Sequence, residues 1–177
     1  MADPALVRRA RFLRWGLSVY PPYLGAGIRV LHVSPDCRHA RVRMGLNWYN
    51  RNFVGTQFGG SLYSMVDPMY MLLLMPLLGG DYVVWDKAAH IDFVSPGKGP
   101  VFAEFTITDA LLDQIRAQTA GGEKVLPELT VEVRDGEGTL VATVHKTLYV
   151  RLKPMRANLA EFSASEDPFW TSPDLAA

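Results

Sequence analysis

Cysteine is nearly missing from this 177-residue chain: Cys37 stands alone, so no internal disulfide can form and no thiolate set can hold zinc. An excess of one charge is missing too. Lys plus Arg and Asp plus Glu number 18 each, which leaves no net field to attract nucleic acid. His32, His39, His90 and His145 are scattered without paired ligand spacing, so no metal is expected. The longest apolar run, from Met69 to Leu78, is interrupted by Pro76 and falls short of the roughly 20 residues that cross a bilayer. Arg8, Arg9, Arg11 and Arg14 are not followed by an apolar run of signal-peptide length before Pro21-Pro22. A cytoplasmic protein without stable membrane insertion is the expectation.

What is present is a chain with 49% hydrophobic and 20% charged residues, enough for one domain with a full core over 1–157. Leu6, Ala10, Leu13 and Leu17 predict an amphipathic helix over 5–19, its arginines solvated. Strands follow over 28–34 and 38–46, with Ser34-Pro35-Asp36 turning between them. A helix over 58–78 ends at Gly79-Gly80. Four strands come next, over 82–94, 101–108, 125–134 and 140–153, with a short helix around Leu111, Leu112 and Ile115. Asp135-Gly136-Glu137-Gly138 joins the last two as an antiparallel hairpin. Residues 158–177 lose periodicity and read as a tail, or as an arm laid on a neighbour through Phe162, Phe169 and Trp170. A helix as apolar as 58–78 is best buried against a curved antiparallel sheet, an α+β arrangement.

Within that helix, spacings of three and four put Gly60, Tyr63, Ser64, Asp67, Tyr70 and Met71 on one face. Asp67 is the acid in an otherwise apolar run. Unpaired burial of its charge is costly, so it is solvated, capping, partnered or a catalytic group with a perturbed pKa. Asp67-Pro68 matches an N-cap followed by the first helical residue. The apolar spacing from Leu62 to Met69 runs straight through it, however, which makes Pro68 a kink in a continuous helix. Gly59-Gly60 at the start brings bare backbone N–H groups and the positive end of the helix dipole close to a bound ligand. Preorganised donors of this kind are worth about 3 kcal/mol each on a developing oxyanion. A nearby carboxylate then acts as general base on water, or as nucleophile.

Strict alternation along 82–94 sets Trp85, Lys87, Ala89, Ile91 and Phe93 on one face and Asp86, His90 and Asp92 on the other. Lys87 among apolar side chains wants an acidic partner, Asp67 or Asp86 of the same or a neighbouring subunit; otherwise it snorkels from a bent or edge strand. Lys146, in line with Val144, Leu148 and Val150, raises the same question with no acid beside it in sequence, and ranks lower. Pro96-Gly97-Lys98-Gly99-Pro100 is a tight turn that presents Lys98 to solvent or to a phosphate.

These residues resemble the hotdog-fold acyl-CoA thioesterase superfamily, in which a curled antiparallel sheet wraps one long central helix. In the thioesterases related to phenylacetate degradation, an Asn and a Gly-rich loop ending in His-Gly-Gly lead into a helix that bears the catalytic Asp two turns later. Asn52, Gly55, Phe58-Gly59-Gly60 and Asp67 fall at matching spacing. A further set is similar to the DUF4442 family: Tyr23 to Ile28, Asn47 to Asn52, Phe58 to Met65, Asp67 to Met71 and Val84 to Ala89, within about residues 20–155. The resemblance implies an α+β hotdog fold with an extra N-terminal helix, assembled as a homodimer or homotetramer with sites between subunits. It implies hydrolysis of acyl-CoA with no metal or redox cofactor, coenzyme A being part of the substrate. Asp67 would then activate water or attack, Gly59 and Gly60 would polarise the thioester carbonyl, and Asn52, Gln57 and Ser64 would orient the reactants. Phe58, Ser61, Asp86, Lys87 and Lys98 would shape the substrate site. The pattern departs at the histidine. Phe58 replaces the His of His-Gly-Gly, and Gln57 stands where a DUF4442 His is expected before Phe-Gly-Gly. Gln57 can donate to a carbonyl or orient water but cannot shuttle protons. A non-catalytic acyl-thioester-binding or assembly subunit is therefore the alternative; a hotdog dehydratase would pair a His with an acid, and no His lies near Asp67 in sequence.

Overall fold

The structure, a computed structural model, describes residues 3–154. Asp3 opens the first helix by accepting a hydrogen bond from the Ala5 N–H at 2.8 Å, and Pro4 starts it, giving α1 over Pro4–Val19. Its inward face carries Leu6, Ala10, Leu13 and Leu17 as expected. Pro21 and Pro22 end α1 and start a second short helix that periodicity alone misses, α2 over Pro21–Ala26, closed by Gly27 at φ 69. A Cβ at Gly27 would also fall 2.5 Å from Asn50 Nδ2, so only glycine fits.

The strands are β1 Ile28–Val33, β2 His39–Met44, β3 Tyr82–Phe93, β4 Val101–Thr106, β5 Lys124–Val125, β6 Glu128–Asp135 and β7 Leu140–Leu152. They form one antiparallel sheet in the order β1-β2-β4-β6-β7-β3, with β5 paired to the end of β7. The segment expected as one strand over 125–134 divides because Pro127 has no N–H to give the ladder. Helix α5, Asp109–Thr119, fills the connection between β4 and β5, with the Thr108 hydroxyl accepting from Leu111 N. Alternate residues such as Ala40, Val42, Ala103, Phe105, Val133, Val144 and Val150 face the core.

That core surrounds the central stretch, which is two helices instead of one: α3 over Gly59–Ser64 and α4 over Met69–Leu78. Pro68 lacks an N–H, so the ladder tightens through the junction, with Val66 N bonding Tyr63 O and Met69 N bonding Val66 O. By length and composition Gly59–Leu78 would suffice to cross a bilayer, but the sheet wraps it and leaves Met65, Val66, Met69, Leu73 and Leu74 with no exposed surface. Each such side chain contributes about 1.5 to 3 kcal/mol by leaving water. Tyr23 from α2 braces the junction by donating to Met65 O at 3.4 Å.

Strand β3 departs from strict alternation. Asp86 pairs with Leu148 but Ala88 pairs with Thr147, so Lys87 is the extra residue of a β-bulge. Val84 and Asp86 point inward before it, and Lys87 is exposed. The shared face expected for Trp85, Lys87, Ala89, Ile91 and Phe93 is therefore broken, and Lys87 is not a core lysine. One curled antiparallel sheet around a central helical stretch, with α1 added at the N-terminus, is the hotdog arrangement. The tail read over 158–177, with Phe162, Phe169 and Trp170, lies outside the described residues.

Candidate active site

The lysine that meets the acids is Lys146, on β7, only 1% exposed. Its Nζ lies 2.9 Å from Asp67 Oδ1, 2.9 Å from Asp86 Oδ1 and 3.1 Å from the Tyr63 hydroxyl. Tyr63 in turn donates to Asp67 Oδ1 at 2.6 Å, from one helical turn earlier. The contact with Asp86 is an ion pair by distance, without the angles of a hydrogen bond. Burial pulls the Lys146 pKa down, but its contacts with Asp67, Asp86 and Tyr63 outweigh that and hold the ammonium well above the ordinary lysine value. Burial pushes the Asp86 carboxyl up, against the pull of Lys146. Burial, and then the bond to Asp67, raises the Tyr63 phenol.

One cation thus serves two carboxylates from two elements. Asp67 is the more open of the two, with 43% of its side chain exposed against 24% for Asp86. Both donors meet Oδ1 of Asp67, and Oδ2 has no hydrogen-bond or ion-pair partner among the described residues. The carboxylate does not cap α4, which has no side-chain cap, so the partnered reading of Asp67 holds over the capping one.

A cleft of about 390 Å³ opens at the other end of α3, lined by Asn52, Gln57, Gly59, Leu62, Phe93 and the loop from Val94 to Gly97. The N–H groups of Gly59 and Gly60 precede the first helical bonds, which start at Ser61 N and Leu62 N onto Phe58 O, and they have no partner among the described residues. Aromatic rings lie over both glycines: a Cβ on Gly59 would stand 2.9 Å from Phe93, and one on Gly60 would stand 2.6 Å from Phe58.

The model of the family described as a domain of unknown function, DUF4442, matches residues 8–150. The chain belongs to the DUF4442 family. Solved structures share its fold. A Pseudomonas aeruginosa protein of unknown function, named a probable thioesterase, superposes with a TM-score of 0.72 at 20% identity, over 86% of this chain and 98% of that one. A Chlorobaculum tepidum protein of unknown function gives 0.65 at 15% identity, over 86% and 97%. A thioesterase from Haemophilus influenzae gives 0.61 at 14% identity, over 83% and 93%. At these identities the likeness is one of fold. No curated protein matches the chain.

In this DUF4442 protein the expected site residues fall into three groups. Asn52, Gln57 and Gly59 line the cleft. Phe58 is exposed beside Gly60, and Lys98 is exposed on the turn that follows Pro96 and Gly97 at its rim. Asn52 organises its own loop: its Nδ2 donates to Thr56 Oγ1 and Gln57 O, and its Oδ1 accepts from the N–H groups of Val54 and Thr56. Gln57, 3% exposed, donates to Gly99 O at 3.0 Å and leaves its own Oε1 without a partner. Ser61 is buried, and Ser64 bonds back to Gly60 O at 2.8 Å within the helix. Asp67 and Asp86 form the second group, with Lys146 replacing Lys87 as their cation. Lys87 stands apart, on the outer side of the bulge.

The sheet also pairs two histidines that are distant in sequence, His90 and His145, whose rings stack 6.3 Å apart with Asp92 3.0 Å from His90. Among the described residues no group of His, Cys, Asp and Glu is arranged to hold a metal.

Proposed function

We propose that the protein hydrolyses acyl-CoA thioesters at a site shared between two copies. The observation that carries this reading is the Asp67 carboxylate, fixed through one oxygen by Tyr63 and Lys146 while its other oxygen has no partner among the described residues. A carboxylate held this way can take a proton from water without turning away. Water then adds to the thioester carbonyl, the oxyanion accepts hydrogen bonds from the Gly59 and Gly60 N–H groups, and the C–S bond breaks to release the thiolate and the free acid. The thiolate takes up the proton held by Asp67 or one from solvent. Thioesterases among the proteins of the same fold support the reaction class.

A length supports sharing between copies. Eight residues separate Gly59 from Asp67, about 12 Å along a helix at 1.5 Å per residue, too far for both to act on one carbonyl. Two copies paired antiparallel would set the Gly59 end of one helix beside the Asp67 end of the other. Strand β3 suits this, since it is 12 residues long and, among the described residues, stands at one end of the strand order beside β7. Gln57 and Asn52 hold the cleft loop, and Lys98 at its rim suits a coenzyme phosphate.

Release of thiol from a panel of acyl-CoAs by the wild type and by Asp67→Asn tests the reading. The variant should lose about a hundredfold to ten-thousandfold in kcat while still binding substrate. Equal rates would remove Asp67 from the chemistry. Binding without turnover by the wild type would favour a non-catalytic acyl-thioester binder, the reading supported by Phe58 standing over Gly60 at the histidine position.

A further inference from the structure

Helix α1 is apolar on two sides. Leu6, Ala10, Leu13 and Leu17 pack inward, while Phe12, Trp15 and Val19 form a second stripe at spacings of three and four, exposed by 64%, 64% and 65%. Tyr20 and Leu24 continue it onto α2, at 50% and 53%. Arginines surround this stripe. Arg8 and Arg11 share the outer face; the Arg9 guanidinium sits 5.6 Å from the Phe12 ring, and that of Arg14 sits 5.1 Å from Trp15. Residues 4–35 include Arg8, Arg9, Arg11, Arg14 and Arg29 and not one Asp or Glu, in a chain whose net charge is zero. The arginine ion pairs among the described residues belong to Arg38, Arg41, Arg116 and Arg134, none of them in α1.

We infer that the outer face of α1 docks the protein on an anionic lipid surface, with Phe12, Trp15 and Val19 entering the boundary between headgroups and acyl chains and Arg8, Arg11 and Arg14 meeting lipid phosphates. A helix that is merely solvated has no reason to gather two large aromatics and a valine on its water side. An interfacial helix needs this arrangement, with aromatics at the centre and long cationic side chains reaching from the flanks. Charge also weighs against a second copy as the occupant, because two α1 faces packed on each other would bring like arginines together. The docking is peripheral and reversible. It stands apart from the hydrolysis reading, since no α1 residue lines the cleft or touches Asp67.

The test is flotation of the full chain with vesicles of phosphatidylcholine plus phosphatidylglycerol, against vesicles of phosphatidylcholine alone. Binding should occur only to the anionic vesicles and weaken as salt is added. Each arginine near such a surface is worth about fivefold in partition, so Arg8→Gln with Arg11→Gln should weaken binding roughly 25-fold. Phe12→Ser with Trp15→Ser should abolish it, with circular dichroism and thiol release unchanged. Equal binding to neutral vesicles, no binding to either, or full binding by the variants would overturn the inference. So would a fall in oligomer mass of the Phe12 and Trp15 variant in sedimentation velocity, which would assign the face to another copy.

Discussion

At the scale of single residues, Lys146 sets the charge of the site. It is the only cation within bonding distance of Asp67 or Asp86 among the described residues, and its own side chain has no exposed surface. Lys146→Met keeps the length of the side chain and removes the charge, leaving two carboxylates facing each other. Lys146 pulls the Asp86 carboxyl down against burial, so in the variant that carboxyl should rise further, which NMR titration of the side chain measures. The folded Lys146 value is raised, so its stabilising contribution is complete below the ordinary lysine value of about 10.4 and fades as pH rises through the folded value. The variant should accordingly lose about 3 kcal/mol near neutrality, the low end for a broken buried pair because solvent screens the half-exposed Asp67, and it should lack the wild-type decline in strong alkali. Urea unfolding across pH measures both. The anomaly of Asp67 was legible in the sequence, as an acid in apolar surroundings. Its true partner was not, because Lys146 lies 79 residues away and only the pairing of β7 with the helix brings them together.

At the scale of elements, two interruptions build the site, and each is a place where periodicity misleads. Pro68 divides the central stretch just after Asp67, whose N–H still bonds Tyr63 O one turn back while its carboxylate accepts from the Tyr63 hydroxyl. The β3 bulge lets Asp86 share the inward side with Ile91, five residues on, and so meet Lys146. These two structures separate the residue from its element experimentally. Lys87→Ala should leave thiol release within about twofold of the wild type, since an exposed side chain is lost. Inserting one alanine between Val84 and Trp85 instead turns one half of β3 over, taking either Val84 away from the core or Asp86 away from Lys146. Activity should then fall by about a hundredfold or more, with a lower midpoint in thermal unfolding. Alternation along β2 and over 128–133 of β6 was readable because no extra residue interrupts it there. The bulge was not, since a single extra residue leaves no mark in composition, and α2 escaped notice because six residues with two prolines carry no apolar period.

At the scale of the whole molecule, the sheet wraps the central helices and, among the described residues, puts β3 at one end of the strand order, with its Phe93 lining the cleft. The order of elements and their enclosure of one apolar stretch followed from the sequence, since so apolar a helix has nowhere else to go. Assembly did not follow, because one chain carries both halves of the proposed site about 12 Å apart and says nothing direct about which copy completes which half. Subunit mixing decides this. Asp67→Asn and Gly59→Val each disable one half, so each alone should release almost no thiol from an acyl-CoA that the wild type cleaves. Unfolded and refolded together in equal amounts, they should form mixed dimers with one intact site, recovering about a quarter of wild-type activity. No recovery, with mixed dimers shown to form, would contradict a site shared between copies, and wild-type rates from Asp67→Asn alone would contradict its chemistry.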